Sequence, residues 1–133
     1  MDEITVRVET EINPTEAEEK VKKAVANIFS NLSTEIKPSY KGSMLNAGAK
    51  SQEALIRLRN LLRSDRIRDA ARKALFQGMR DTTISFCLNK QVAFAGHVSF
   101  SEEVAESPLG PIRVTIECED PRQLIDWLAS RAA

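Results

Sequence analysis

The chain has 133 residues, of which 42% are apolar and 29% charged, and its 19 basic residues balance 19 acidic ones. This composition indicates one ordinary globular domain, long enough to bury a core without disulfides, and two cysteines suit a reducing compartment. No apolar run approaches the roughly 18 residues of a membrane span. The acidic start, Asp2-Glu3, is unlike a signal peptide, so we expect a cytoplasmic protein with no membrane partner.

The first two elements are predicted from an alternating segment followed by a helix-start signal. Apolar and polar residues alternate from Ile4 to Ile12, which predicts a strand with one buried face. Asn13-Pro14-Thr15-Glu16 then supplies an N-cap, a proline for the first helical position and a glutamate for a capping box. We predict a helix from about residue 14 to 31. Its expected buried positions are Ala17, Val21, Ala24, Val25, Ile28 and Leu32.

Residues 33–50 carry the weakest pattern of the chain. Glu35-Ile36-Lys37 indicates a short strand ended by Pro38, and Lys41-Gly42-Ser43 is typical of a turn. Met44–Lys50 fits either a second strand or an extended loop. The sequence therefore leaves the number of strands in this region open.

A leucine stripe after Ser51 predicts two helices separated by a bend. Ser51 is an N-cap with Glu53 in the first turn, and Ser64-Asp65 is a second cap signal inside the stripe. Two helices meeting at residues 63–64, the second ending at Gly78, therefore fit better than one long helix. The expected apolar positions are Leu55, Leu58, Leu61, Leu62, Ile67, Ala70, Ala71, Ala74 and Leu75.

Two alternating apolar segments in the third quarter of the chain predict a β-hairpin. Phe86 and Leu88 on its first strand face Phe94 and Val92 on its second only if the loop holds three residues, Asn89-Lys90-Gln91. A two-residue loop would place the apolar faces out of register. We therefore predict the longer loop.

The last quarter predicts a stiff loop, a strand and a capped helix. Residues 101–107 are expected to form a loop or one helical turn, followed by Ser107-Pro108-Leu109-Gly110-Pro111-Ile112. A strand through Cys118 comes next, and Asp120 and Pro121 then begin the last helix. Together these elements predict one α+β domain over residues 1–133. Its mostly antiparallel or mixed sheet packs on helices, in the order β-α-β(β)-α-α-β-β-β-α.

No catalytic set emerges from the reactive side chains. In the predicted hairpin the single histidine, His97, lies opposite Thr83, roughly 13 Å from Cys87 at about 3.3 Å per residue. A nucleophilic pair needs hydrogen-bond reach, about 3 Å. Cys118 continues the buried face of its strand and is expected to be a small core residue. We therefore predict that the protein is not an enzyme.

Metal and cofactor signals are equally weak. One histidine and no close cysteine pair give no zinc set, and the five glycines form neither a dinucleotide fingerprint nor a phosphate loop. A carboxylate-only magnesium site at Glu117, Glu119 and Asp120 is a minor alternative, because the two glutamates match the solvent side of a strand. The sequence therefore predicts no cofactor and no metal.

The balanced net charge conceals a basic middle. From Lys37 to Arg80 there are eleven basic and three acidic residues, a net charge of +8. Cations spaced one or two helical turns apart can follow phosphates. Alternatively, the local pairs Glu53–Arg57, Asp65–Arg68 and Asp65–Asp69–Lys73 would make the same residues a partly neutralised, solvated face. The predicted RNA-binding residues are Arg59, Arg63, Arg66, Arg68, Arg72, Lys73 and Arg80, with Lys41 and Lys50 as additions.

Several segments together resemble a small archaeal protein family. They are Asn13-Pro14-Thr15-Glu16, Ala49…Ser51…Leu55, Asp69-Ala70-Ala71-Arg72, Phe86…Leu88…Gln91-Val92-Ala93, Ser107–Ile112 and Asp126-Trp127-Leu128-Ala129. That family is grouped with predicted RNA-binding proteins linked to the exosome, and its fold is similar to that of the ribosomal protein that holds 5S rRNA. The resemblance implies an archaeal, cytoplasmic α+β protein and supplies no catalytic residues.

We therefore predict a non-catalytic domain that binds RNA by neutralising phosphates. The first alternative is a protein–protein module, either a homodimer or a subunit of a larger complex, in which the acidic ends dock against the basic middle. An enzyme is the third hypothesis and would need a pocket that gathers His97 or the carboxylates.

Overall fold

The computed structural model describes residues 3–40, 42–101 and 110–130. The strands are β1 (Thr5–Ile12), β2 (Ser33–Ser39), β3 (Gly42–Ala49), β4 (Met79–Arg80), β5 (Thr83–Asn89), β6 (Phe100–Ser101) and β7 (Pro111–Glu117). The helices are α1 (Glu18–Ile28), α2 (Ile56–Ser64), α3 (Arg68–Gln77), α4 (Lys90–Phe94) and α5 (Pro121–Leu128), with a 3₁₀ turn at Gln52–Leu55. None of the helices within these ranges is long and apolar enough to cross a membrane.

The strands form one antiparallel sheet in the order β2-β3-β1-β7-β5-β4, with β6 paired to the far end of β5. Val6 lies between Ala49 and Ile116, and Val8 lies between Ala47 and Val114. Residues directly opposite in a ladder share a face, so the apolar positions of the central strands form one buried surface. The buried helix residues join the same core. This is the predicted α+β arrangement, with helices packed on an antiparallel sheet.

The first helix begins later than predicted. It starts at Glu18, and Ala17 precedes it without a side-chain cap. Asn13 and Glu16 make one of the two expected capping-box contacts, because the Asn13 N–H donates to Glu16 Oε1 at 2.9 Å. The Glu16 N–H donates to the backbone carbonyl of Asn13 at 2.9 Å. These contacts close a turn ahead of the helix. Ala17 is consequently exposed, contrary to the prediction.

Residues 33–50, where the sequence left the number of strands open, form a β-hairpin of two strands. β2 and β3 pair along their whole length, with Ile36 opposite Leu45. β2 continues through Pro38, where a strand end was predicted, because an edge strand tolerates a residue without an N–H. Lys41, in the predicted turn, lies outside the described residues.

The predicted bend between the second and third helices is confirmed, but its physical cause differs. Asp65 does not cap α3, which begins after Ile67 without a side-chain cap. Arg66 between them adopts a left-handed conformation with φ of 57°. The Asp65 carboxylate instead accepts the Val98 N–H at 3.1 Å and lies 3.1 Å from His97 Nδ1. The chain therefore turns through Arg66, and Asp65 connects the bend to the segment after α4.

The predicted hairpin after Ile84 is wrong. The segment that was expected to be its loop and second strand forms α4, which Asn89 caps by accepting the Val92 N–H at 3.0 Å. Leu88 pairs with Phe100 instead of Val92. Lys90, placed in the hairpin loop by the prediction, is buried with 3% of its surface exposed. A tertiary contact of this lysine therefore overrides the local alternation.

Gly78 ends α3 for a steric reason. Its φ is −92°, so it does not need the left-handed freedom of a C-terminal glycine. A Cβ at this position would instead lie 1.8 Å from the Ser85 carbonyl oxygen. Gly78 allows the end of α3 to pack directly on β5, and its own carbonyl accepts the Ser85 N–H at 2.9 Å.

The last strand and helix agree with the prediction. Cys118 is buried, and Asp120 caps α5 by accepting the Gln123 N–H at 3.2 Å, with Pro121 in the first helical turn. The predicted loop or turn at residues 101–107 falls, after its first residue, outside the described part of the chain, as do the first three residues of Ser107–Ile112.

Candidate nucleic-acid interface

The seven predicted RNA-binding residues lie on α2, on α3, or beside them, and the structure divides them into two groups. Three of them contact the C-terminal end of α5, while the side chains of the other four are exposed and make no hydrogen bond or ion pair among residues 3–40, 42–101 and 110–130. The α5-bound group is Arg59, Arg68 and Arg72. The second group, called the outer basic cluster from here on, is Arg63, Arg66, Lys73 and Arg80.

Arg59 stacks on the last helix. Its Nε donates to the Trp127 carbonyl at 2.9 Å, and its guanidinium lies 5.1 Å from the centroid of the Trp127 ring. One side chain thus satisfies a helix-end carbonyl and makes a cation–π contact. Trp127 therefore packs against α2 through Arg59, and this predicted RNA-binding arginine is engaged within the fold.

Arg72 and Arg68 hold the same helix end. Arg72 Nη1 lies 2.7 Å from Asp126 Oδ1 and 3.2 Å from the Ala129 carbonyl, and Arg68 Nη1 donates to Ser130 Oγ at 3.3 Å. A helix C-terminus has unpaired carbonyls and partial negative charge, so cations there are stabilising. The side chains of these arginines are therefore engaged in contacts that stabilise the fold, and a ligand would have to compete with those contacts.

The outer basic cluster begins at the bend between α2 and α3. Arg63 is the basic residue in the last turn of α2, and the Arg66 N–H donates to the Arg63 carbonyl at 3.2 Å, so the two are close neighbours. Lys73 projects from α3 and Arg80 follows it in β4; all four are exposed. The outer basic cluster thus runs from the last turn of α2, along α3, to β4.

Asp65, the acid between these arginines, makes no ion pair with either of them. Asp65 is 17% exposed and directs its carboxylate to His97 and to the backbone of Val98. The predicted local pairs are replaced as well: Arg57 donates to the Ala26 carbonyl, and Arg68 donates to Ser130. The neutralised-face alternative therefore fails for Arg57 and Arg68, whereas Asp69 and Lys73 both stay exposed, four residues apart on α3. Of the two additional lysines, Lys50 is exposed beside β3 and Lys41 lies outside the described residues.

The sheet face opposite the helices has mixed charge. Arg113 lies 3.8 Å from Glu9, and Lys37 lies 3.8 Å from Glu35. No aromatic side chain projects from this face of the described strands. Base stacking on the sheet, as in single-strand RNA readers, therefore has no platform here.

The reactive side chains form no active constellation in the described ranges. His97 does not lie opposite Thr83, which pairs with Arg80 and Glu117, because the predicted hairpin does not form. Burial and, to a smaller extent, the negative charge of Asp120 raise the pKa of the Cys118 thiol, while a hydrogen bond with the Asp120 backbone partly opposes this shift. Three or more potential metal ligands gather nowhere among residues 3–40, 42–101 and 110–130.

A polar cavity of about 760 Å³ opens beside β5, between the short edge strands β4 and β6. Arg80 and Arg113 line it together with Ser85 and Ser101. The cavity places one member of the outer basic cluster next to a pocket with hydroxyl groups, a composition suited to anionic ligands.

Comparisons with known proteins point to one family. A family model described as RNA binding matches residues 5–118. A UPF0201 protein of Sulfurisphaera tokodaii is 42% identical over 126 residues, covering 95% of this chain and 87% of the relative. A UPF0201 protein of Sulfolobus acidocaldarius is 41% identical over 128 residues, covering 96% and 88%. The crystal structure of the UPF0201 protein from Methanococcus jannaschii superposes with a TM-score of 0.84 at 33% identity, covering 99% of this chain and 96% of that one.

Proposed function

The chain belongs to the UPF0201 family, and we propose that it binds RNA through phosphate contacts of its outer basic cluster. The observation that carries the proposal is the pair of exposed guanidiniums, Arg63 and Arg66, at a bend whose only intervening acid is engaged elsewhere. The role proposed is binding, with no catalytic step.

The chemistry of these side chains suits a phosphate backbone. A guanidinium stays charged at every physiological pH and can donate two parallel hydrogen bonds to phosphate oxygens. Each neutralised phosphate releases bound counterions, which drives association and makes it sensitive to salt. The outer face of the described strands carries no aromatic side chain, and Phe76 of α3 is half-buried in contact with Arg72 and Arg122. We therefore expect recognition of backbone and shape instead of base sequence.

The zero net charge is compatible with a local basic surface. Charges in water are screened beyond about 8 Å at physiological salt, so distant acids contribute little to the field at the bend. Lys73 extends this field along α3, and Arg80 extends it past the end of the helix. A ligand that approaches α3 from outside therefore meets Arg66, Lys73 and Arg80, with the exposed Asp69 between the first two.

Charge reversal with a matched control tests the proposal. The double substitution Arg63→Glu and Arg66→Glu should lower affinity for unrelated structured RNAs at least about tenfold, since two phosphate contacts become repulsions. Lys20→Glu with Lys23→Glu on α1 makes the same change in net charge elsewhere and should have a smaller effect. Equal losses in the two variants would mean that overall charge, not this cluster, governs binding. Full affinity in the bend variant would rule out the proposed site.

A further inference from the structure

One edge of the sheet is formed by a strand that is almost completely exposed. β2 ends the strand order, and among the described residues only β3 pairs with it. Every residue of β2 is exposed except Ile36, which is half-buried. An edge strand presents unpaired backbone N–H and C=O groups, which can pair with another strand.

The backbone geometry places particular residues on this free edge. In an antiparallel ladder, alternate residues direct their N–H and C=O groups to one neighbour and the remaining residues to the other. Pro38, opposite Ser43, has no N–H to give β3 and so fits the set that faces away from β3. Thr34 and Ile36 belong to the same alternating set. Their backbone groups therefore face the free edge.

The side chains of β2 are self-complementary about its centre. Glu35 and Lys37 flank Ile36, are 67% and 62% exposed, and lie 3.8 Å apart on the same face. If a second β2 runs antiparallel to the first with Ile36 opposite Ile36, Glu35 of each copy lies opposite Lys37 of the other. Opposite charges at directly facing positions stabilise a strand pair, and the four charges alternate around a two-fold axis.

We infer that two copies of this chain associate through β2, pairing antiparallel about Ile36 to join their sheets into one. The two Ile36 residues exchange N–H···O=C bonds, and each Thr34 N–H reaches the Pro38 carbonyl of the other copy. The half-buried Ile36 side chains meet on the helix-covered face, and the Glu35–Lys37 pairs form on the opposite face. This inference does not depend on RNA binding, and its test contains no RNA.

Charge swaps can test the register because the two pairs are related by symmetry. Glu35→Lys alone sets Lys opposite Lys twice, and Lys37→Glu alone sets Glu opposite Glu twice. Each variant should raise the dimer dissociation constant at least about tenfold, measured by sedimentation equilibrium. The combined variant, with both residues exchanged, restores opposite charges and should recover the wild-type constant. Because these positions are exposed, circular dichroism should show an unchanged fold.

A mixture of the two single variants tests the proposed register most directly. A Glu35→Lys chain facing a Lys37→Glu chain has two attractive pairs, so the mixture should form heterodimers while each variant alone dissociates. A wild-type protein that stays monomeric at millimolar concentration would overturn the inference, since the proline and the charges would then act only to protect the edge. Dimers unaffected by either swap would equally overturn it, by placing the interface elsewhere.

Discussion

Replacing Lys90 by methionine should destabilise the fold strongly, because this lysine is a buried charge with defined partners. Its Nζ donates to the Glu11 carbonyl at 2.7 Å and to the two oxygens of Glu16 at 3.1 and 3.3 Å. The Lys90 and Glu16 side chains are only 3% and 10% exposed. The substitution keeps the apolar stem but leaves the Glu16 carboxylate buried without its cation.

The loss of stability depends on the hydrogen bonds that Glu16 keeps after Lys90 is replaced. Breaking a buried ion pair from one side typically costs about 3–5 kcal/mol. Asn13 still donates to Glu16 Oε1 from its N–H at 2.9 Å and from Nδ2 at 2.8 Å, which favours the lower end of that range. A loss of about 3 kcal/mol in a chain of this length lowers Tm by about 10 °C.

Thermal and urea unfolding of a double-mutant cycle would measure this loss. Lys90→Met should show the full decrease, whereas adding Glu16→Gln removes the stranded charge and should recover part of it. A single variant within about 1 kcal/mol of wild type would refute the claim that this pair fixes α4 in place. A double variant less stable than the single would refute the assignment of the cost to an unpaired carboxylate.

Two further substitutions test the packing of the helices. Arg72→Ala removes the contacts to Asp126 and Ala129 and should lower the free energy of unfolding in urea by about 1–2 kcal/mol. The control Lys73→Ala should change it by no more than about 0.5 kcal/mol. Equal effects in the two variants would contradict the structural role of Arg72. Gly78→Ala drives a Cβ into the Ser85 carbonyl and should cost about 3 kcal/mol or prevent folding, so unchanged thermal stability would contradict the close packing of α3 on β5.

Local patterns were sufficient for the elements whose burial follows their own periodicity. β1 and β7 alternate cleanly, and their apolar residues form the predicted buried face. The predicted N-caps Ser51 and Asp120 are also confirmed, because each cap is a hydrogen bond between residues two or three positions apart in the sequence. Such features depend on neighbours that are visible in the sequence.

The predictions that were wrong concern residues whose partners lie far away in the sequence. Lys90 lies in a segment whose alternation is typical of a strand, but in the structure its ammonium group contacts Glu11 and Glu16, 79 and 74 residues away. The division of the arginines has the same origin, since Arg59 meets the backbone of a residue 68 positions later. A signal did exist: arginines on two consecutive helices and a tryptophan in the last one could have suggested cation–π packing. Spacing alone could not show which arginines that packing would use.

The salt dependence of RNA binding tests the central claim most directly. Affinity of the wild-type protein and of the Arg63→Gln, Arg66→Gln variant for one structured RNA should be measured between about 50 and 200 mM salt. If both guanidiniums contact phosphates, the slope of log K against log salt should be smaller in the variant by roughly 1.4 to 1.8. Equal slopes, or no wild-type binding at the lowest salt, would contradict the assignment of the outer basic cluster to RNA.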